Sequence, residues 1–72
     1  MADFNYEIVE NIGTISQHGS WNYELNLVKW GKGQPNFDLR KWDADHTRMS
    51  KGATLTRDEL IGLRDLLNSL EF

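Results

Sequence analysis

The segment from Trp21 to Trp30 alternates between two kinds of side chain, which is the pattern of a β-strand with two different faces. One face carries the apolar residues Trp21, Tyr23, Leu25 and Leu27. The other carries a mixed set, Asn22, Glu24, Asn26, Val28 and Trp30. Residues 31–36 are rich in turn formers, and the alternation then resumes, with Phe37 and Leu39 on the apolar side and Asp38, Arg40 and Trp42 on the mixed side. The pattern predicts a hairpin whose apolar face points inward and whose mixed face points outward.

The rest of the chain adds two strands and one helix to this hairpin. We predict strands at about 5–17, 21–30, 36–42 and 51–55, and a helix at about 57–70. The apolar positions of the first strand change phase at Gly13, which indicates a bulge or bend. Thr56 and Glu59 have the spacing of a capping box at the start of the helix. Strands followed by one helix predict a single α+β domain.

The helix has a wide apolar stripe for the small sheet that it must cover. Leucines recur at helical spacing, and Ile61 widens the stripe. A chain of 72 residues supports only a marginal core, and association is a common remedy. We therefore expect a homodimer that uses Leu60, Leu63, Leu66, Leu67 and Leu70. The alternative is that one face of the sheet covers the whole stripe.

Composition limits the kinds of site and the location. The sequence contains no cysteine, which excludes disulfides and cysteine-based zinc sites. A reducing cytoplasm is compatible with this, and we predict a cytoplasmic protein. No apolar run is long enough for a membrane helix, and the acidic N-terminus at 1–4 lacks the pattern of a secretory signal.

The sequence shows no pattern of catalytic, metal-binding or cofactor-binding residues. The histidines His18 and His46 are far apart, and the acidic residues next to His46 are more typical of a solvated loop. The turn at 31–34 contains Gly-Lys-Gly but lacks the Walker A pattern. We therefore expect no metal, no other cofactor, no small-molecule substrate and no enzymatic activity.

Charge is distributed unevenly along the chain. The formal net charge is −3 at pH 7, yet six of the eight lysines and arginines lie between positions 29 and 51, where three aspartates leave a local charge of +3. A local basic stripe indicates a nucleic-acid partner even in an acidic protein. The alternative is a solvated hairpin whose lysines discourage pairing at the sheet edge.

The mixed face of the hairpin combines two tryptophans with cations. Trp30, Arg40 and Trp42 lie on it by alternation, and Lys32 and Lys51 lie at its margins. Exposed aromatic rings stack on bases while cations contact phosphates, so this combination predicts binding of single-stranded nucleic acid. Two alternatives stay open: Trp30 and Trp42 pair across the hairpin for stability, or the exposed tryptophans dock another protein.

Three motifs follow one another at a distinctive spacing: Trp30-Gly31-Lys32-Gly33, then Phe37-Asp38-Leu39-Arg40-Lys41-Trp42, then Ser50-Lys51-Gly52-Ala53-Thr54-Leu55-Thr56. With Leu60 and Leu63 after them, they resemble the transcriptional positive cofactor four family, and most of all its short bacterial YdbC-type branch. The resemblance covers residues 25–70. It implies a curved four-stranded antiparallel sheet with a C-terminal helix, dimerisation mainly through the helices, and binding of single-stranded or melted DNA with little sequence preference.

The resemblance also implies roles for individual residues. Trp30 matches a stacking aromatic, Lys32 the basic residue after it, and Lys51 a lysine that contacts phosphate. Arg40 and Trp42 match the arginine and the aromatic of the following strand. Two departures are the insertion of Gly31 and the presence of Gln34 where a basic residue is frequent. The candidate DNA-binding residues are Trp30, Lys32, Arg40, Trp42, Lys51, Arg48, Asn26, Gln34 and Lys29. RNA is the closest alternative ligand, because stacking on unpaired bases does not separate RNA from DNA.

Overall fold

The computed structural model describes residues 5–71. Its elements are β1 (Tyr6–His18), β2 (Trp21–Trp30), β3 (Asn36–Trp42), β4 (Ala53–Leu55) and α1 (Arg57–Asn68). The strands form one antiparallel sheet in the order β1-β2-β3-β4. The expected α+β architecture is therefore confirmed, with β4 and α1 each two residues shorter than predicted. Residues 1–4, on which the prediction about a secretory signal rests, and residue 72 lie outside the described residues.

β1 is a long edge strand with an irregular register. Its pairing with β2 shifts at three places: between Ile8 and Glu10, between Asn11 and Gly13, and between Thr14 and Ser16. Each shift places an extra residue in β1, which bends the strand and increases its twist. The irregularity predicted at Gly13 is thus present, and two further shifts accompany it.

The sheet curls strongly towards one of its faces. Tyr6 pairs with Trp30 at one end of β2, whereas Trp42 pairs with Asn22 near the other end. Along a flat strand, Asn22 and Trp30 would be about 26 Å apart. The ring centroids of Tyr6 and Trp42 are nevertheless only 5.5 Å apart. The face that curls inward is the concave face, which carries Glu24, Asn26, Val28, Trp30, Asp38, Arg40 and Trp42. The opposite, convex face carries Trp21, Tyr23, Leu25, Leu27, Phe37 and Leu39.

The most buried residues of the described chain lie on the concave face. Val28, Trp42, Asn26 and Asp38 are all 0% exposed, and Glu24 is 3% exposed. The prediction that this mixed face points outward is therefore wrong. Alternation separated the two faces correctly, but the curl of the sheet encloses the mixed face. Tyr6 and the 43–50 loop close over that face, and the Tyr6 hydroxyl donates a hydrogen bond to the His46 carbonyl at 3.0 Å.

α1 packs loosely on the convex face. The predicted capping box is present, because the Thr56 hydroxyl accepts from the Glu59 N–H at 3.2 Å and the Glu59 carboxylate accepts from the Thr56 N–H at 2.8 Å. No residue of α1, all of which is described, is buried. A cleft of about 540 Å³ separates helix from sheet, and its lining includes Leu25, Phe37, Leu39, Leu60, Leu63 and Leu67. The convex face is therefore only partly covered.

Candidate nucleic-acid interface

Trp30 and Arg40 form a stacked pair at the rim of the concave face. The guanidinium carbon of Arg40 lies 4.6 Å from the centre of the Trp30 ring, within the range of a cation–π contact. Tyr6 contacts Trp30 as well, with ring centroids 5.7 Å apart. Trp30 is half-buried among these neighbours. The structure thus brings together Trp30 and Arg40, which the alternation placed on one face.

Arg40 is held in place by contacts to its own strand and to the following loop. Its Nε donates to Oδ2 of Asp38 at 2.7 Å, and its Nη1 donates to Sδ of Met49 at 3.2 Å. The side chain of Asp38 is fully buried and that of Arg40 is 12% exposed, so water screens this ion pair little. Arg40 therefore orients the Trp30 ring, while Asp38 balances most of its charge.

Trp42 and Asn26, both predicted to contact DNA from an outward face, are buried instead. Trp42 lies against Tyr6 and His46. The centroids of the Tyr6 and His46 rings are each 5.5 Å from the centroid of the Trp42 ring. A stacking ring must offer an open face to a base, so the exposure predicted for Trp42 and Asn26 is wrong. Trp42 and Trp30 do not pair across the hairpin either, because the strand register sets Asn22 opposite Trp42.

A buried hydrogen-bond network occupies the centre of the concave face. Oε1 of Glu24 accepts from Nδ2 of Asn26 at 3.1 Å and from Nδ2 of Asn11 at 3.2 Å, and it lies 2.9 Å from Nε2 of His46. Nδ2 of Asn11 also donates to Oδ1 of Asn26 at 2.7 Å. Burying such groups is costly unless they are paired, and here they pair with one another. Sequence reasoning missed this network, although polar residues at alternate positions of one strand, Asn22, Glu24 and Asn26, were a usable signal.

The turn between β2 and β3 presents Lys32 next to Trp30. Gly31 has a φ of 56°, which favours glycine, and its N–H donates to the Asn5 carbonyl at 2.7 Å. The N–H of Gly33 donates back to the Trp30 carbonyl at 3.0 Å. Lys32 and Gln34 are exposed on this turn. The turn therefore fixes the backbone around Lys32 against β1.

Lys51 is exposed where the chain crosses close to Arg40. The carbonyl of Ser50 lies 3.5 Å from Nη1 of Arg40. A Cβ added at Gly52 would overlap the carbonyl oxygen of Leu39 and the Cβ of Arg40. Glycine at this position is therefore what allows the chain to pass so near β3. The residues placed around this rim, Trp30, Lys32, Gln34, Arg40 and Lys51, are called the Trp30 surface.

Two candidate residues lie on the convex side, away from the Trp30 surface. Lys29 is the cross-strand partner of Glu7 and is half-buried. Arg48 has its guanidinium carbon 6.0 Å from the centre of the Trp21 ring, and Trp21 belongs to the convex face. The structure therefore divides the candidate residues between two faces of the sheet.

Asp43 organises the loop that carries Arg48. Its Oδ1 accepts from the N–H groups of Thr47 at 2.9 Å and of Arg48 at 3.0 Å. These bonds, above all the one from Arg48, lower the pKa of the Asp43 carboxyl below its ordinary value. His46 in the same loop has a φ of 59°, which is uncommon for a residue other than glycine. Among residues 5–71, no group of three or more His, Cys, Asp or Glu side chains is placed to hold a metal ion.

Comparison with known proteins identifies a relative. No family model matches the chain. The chain is similar to a protein of Treponema pallidum (strain Nichols) described as "Uncharacterized protein", with 46% identity over 69 residues, which cover 94% of this chain and 81% of that protein. The chain belongs to the family of this Treponema protein. The description of the Treponema relative names no ligand, so function in this family has to be argued from its surfaces. In the part of the chain that the structure describes, no helix has both the length and the apolar character to span a membrane.

Proposed function

We propose that the protein binds single-stranded DNA through the Trp30 surface, with little sequence preference and without catalysis. The observation that carries the proposal is the Arg40–Trp30 stack, which holds a half-exposed indole. Exposed lysines lie in the turn that follows Trp30 (Lys32) and in the segment that crosses Arg40 (Lys51). A base stacked on such a ring contributes about 1–3 kcal/mol, and every base has a face that can stack. The stacking contribution is therefore expected to depend little on sequence.

The cations of the Trp30 surface have different roles in this proposal. Lys32 and Lys51 are exposed, and neither forms an ion pair within residues 5–71. They are available to neutralise phosphates. Arg40 is paired with the buried Asp38, so it acts mainly by positioning Trp30. Gln34 adds an uncharged hydrogen-bond donor at the same turn.

The resemblance to the positive cofactor four family supports the same residues. Trp30, Lys32 and Lys51 are matched to a stacking ring and two basic contacts, and each is exposed or half-exposed. Trp42 is left out of the contact set because its side chain is enclosed. The proposal includes a cytoplasmic location, where transcription, replication and repair expose single strands.

We also propose that the protein acts as a homodimer through α1. Leu66, Leu67 and Leu70 are 67%, 46% and 56% exposed. The sheet does not cover the whole apolar stripe, and clustered exposed leucines commonly mark an interface. A second copy placed against α1 covers these leucines, while Leu60 and Leu63 at the cleft continue the same apolar surface.

DNA binding is tested by titrating the protein against fluorescent oligothymidine at several salt concentrations. The logarithm of the association constant should fall linearly with the logarithm of salt, with a slope of about −0.7 for each phosphate contact. Lys32 and Lys51 together then account for a slope of about −1.4. Absence of binding at about 50 mM salt, where such contacts are strong, contradicts the proposal.

Single substitutions connect binding to the Trp30 surface. Lys32→Ala and Lys51→Ala should each weaken binding and flatten the salt slope by about 0.7. Trp30→Ala should weaken binding with little change in slope, because it removes stacking and no charge. The matched control is Arg57→Ala, which removes an exposed cation from the first turn of α1, where the helix dipole disfavours it. If Arg57→Ala weakens binding as much as Lys51→Ala, the net charge and not the Trp30 surface governs the affinity.

Dimerisation is tested by sedimentation of the full chain at micromolar concentration. We expect about twice the chain mass, and a monomer for the double variant Leu66→Ser with Leu70→Ser. Asp65→Ser is the control, because Asp65 is a charged position of the same helix that pairs with Arg64 and lies outside the leucine stripe, and it should sediment like the unaltered protein. A monomeric unaltered protein excludes the dimer.

A further inference from the structure

A second group of aromatic and basic side chains lies on the convex face. Tyr23 of β2 and Lys41 of β3 are direct cross-strand partners, so their side chains share a face. The chain then runs back beside β3, where the Asp43 N–H donates to the Arg48 carbonyl at 3.1 Å. Arg48 continues the same row, with its guanidinium carbon 6.0 Å from the centre of the Trp21 ring. Trp21, Tyr23, Lys41 and Arg48 are called the Trp21 surface.

The Trp21 surface is separate from both the Trp30 surface and the helix. Trp21 and Trp30 stand at opposite ends of β2, nine positions apart, and alternation directs them to opposite faces. The cleft beneath α1 is lined by Leu25 and Leu39, but its lining includes neither Tyr23 nor Lys41. The helix therefore leaves this end of the convex face open.

The exposure of these side chains suits contact with a nucleic acid. Lys41 and Arg48 are exposed, and neither forms an ion pair in the described part of the chain. Trp21 and Tyr23 are half-buried, so each ring keeps part of its surface open. Aromatic rings beside unpaired cations are the combination on which bases stack and phosphates are neutralised.

Few acidic groups oppose a polyanion at this surface. The β1 residues opposite Trp21 and Tyr23 are His18 and Ser16. The loop that carries Arg48 adds two carboxylates, those of Asp43 and Asp45. Asp43 accepts bonds from the Thr47 and Arg48 N–H groups and Asp45 from the Thr47 hydroxyl, so both are engaged within their own loop. Glu24 belongs to the concave face and is buried there.

We propose that the Trp21 surface is a second binding surface for single-stranded nucleic acid. The inference rests on the proposed function, because it assigns the same ligand class to the other face of the sheet. Bases stack on Trp21 or Tyr23 while Lys41 and Arg48 contact the phosphates. Each chain then binds two short strands, one on each face. A strand long enough to reach both faces is bound more tightly than a short one, because its second contact is intramolecular.

The test follows the indole N–H signals of Trp21 and Trp30 by NMR while hexathymidine is added to the full-length ¹⁵N-labelled protein. Trp21→Phe and Trp30→Phe assign the two signals. Both should shift during the titration. The double variant Lys41→Ala with Arg48→Ala should raise the midpoint of the Trp21 signal several-fold and leave that of Trp30 unchanged. Lys32→Ala with Lys51→Ala is the matched control, which should do the reverse.

The outcomes separate this inference from the proposed function. If hexathymidine shifts Trp30 but neither hexathymidine nor hexauridine shifts Trp21, the second surface is overturned and DNA binding is left intact, whereas no shift of either signal with either oligonucleotide overturns both. If Lys41→Ala with Arg48→Ala alters the sedimentation of the free protein, the surface is a contact between copies and the inference fails. Hexauridine in a parallel titration shows whether RNA occupies the surface, and a Trp21 response to either oligonucleotide supports it.

Discussion

Glu24 and His46 meet inside the concave face, with Nε2 of the histidine 2.9 Å from one carboxylate oxygen and 3.0 Å from the other. The two residues are 22 positions apart, so the contact fastens the 43–50 loop to the second strand. The side chain of Glu24 is 4% exposed and that of His46 is 35% exposed. The carboxylate therefore depends on its protein partners, since little water reaches it.

Removal of the His46 imidazole should destabilise the fold. His46→Ala leaves Glu24 buried with one partner fewer, and we expect the free energy of unfolding to fall by about 1–3 kcal/mol. Urea denaturation followed by tryptophan fluorescence measures the change. His18→Ala is the control, because His18 is exposed at the end of β1 and should change stability by less than about 0.5 kcal/mol. Equal effects of the two substitutions would show that the Glu24–His46 contact contributes nothing.

Local signals in the sequence predicted local structure well. Thr56 and Glu59 specify the start of α1 by their spacing alone, and the structure contains both capping bonds. Gly13 marked a phase change in β1, where the register does shift. These features depend on neighbours within a few residues, so the sequence contains the information directly.

The direction in which the sheet curls could not be predicted in the same way. Alternation assigns Asn26 and Trp42 to one face, but it does not say which face becomes the interior. That outcome depends on three register shifts in β1 and on the contact between Tyr6 and Trp42, which pair with opposite ends of β2. An apolar stripe on the convex face suggested an interior there, yet α1 covers it only partly.

Substitution of Trp42 tests whether this ring belongs to the core. Trp42→Ala should lower the free energy of unfolding by about 3–5 kcal/mol, the usual cost of removing a buried large aromatic. Trp42→Phe should cost less, because it also removes an indole N–H that has no acceptor among the described residues. Calorimetry with Trp30→Ala as the comparison should show a clearly smaller loss there. A Trp42→Ala protein that is stable but fails to bind DNA would show that Trp42 contacts DNA and does not support the core.

Gly52 and Gly62 form a matched pair of glycine positions with opposite expectations. Gly52→Ala should destabilise the protein by about 1–3 kcal/mol, because the new Cβ overlaps Leu39 and Arg40. At Gly62 in α1, an added Cβ would meet no atom within 4 Å apart from its chain neighbours and the helix's own backbone, so Gly62→Ala should stabilise the protein by up to about 1 kcal/mol. Thermal unfolding at low concentration compares them. Stabilisation by Gly52→Ala would mean that the 50–52 segment does not pass close to β3.

Asp43 gives the loop beside the Trp21 surface a defined dependence on pH. Folding lowers the pKa of the Asp43 carboxyl, chiefly through the hydrogen bond from the Arg48 N–H. The hydrogen bonds to this carboxylate therefore contribute their full stability at pH values above the ordinary pKa of an aspartate. That contribution is lost as the pH falls through the lowered pKa. In an acid titration by NMR, we expect the Asp43 carboxyl to titrate below the ordinary aspartate pKa. The amide signals of Thr47 and Arg48 should follow with the same midpoint, since their N–H groups bond that carboxylate. Asp43→Asn should abolish this transition in both amides. Amide signals that titrate unchanged in Asp43→Asn would show that another group sets the acid response of the loop.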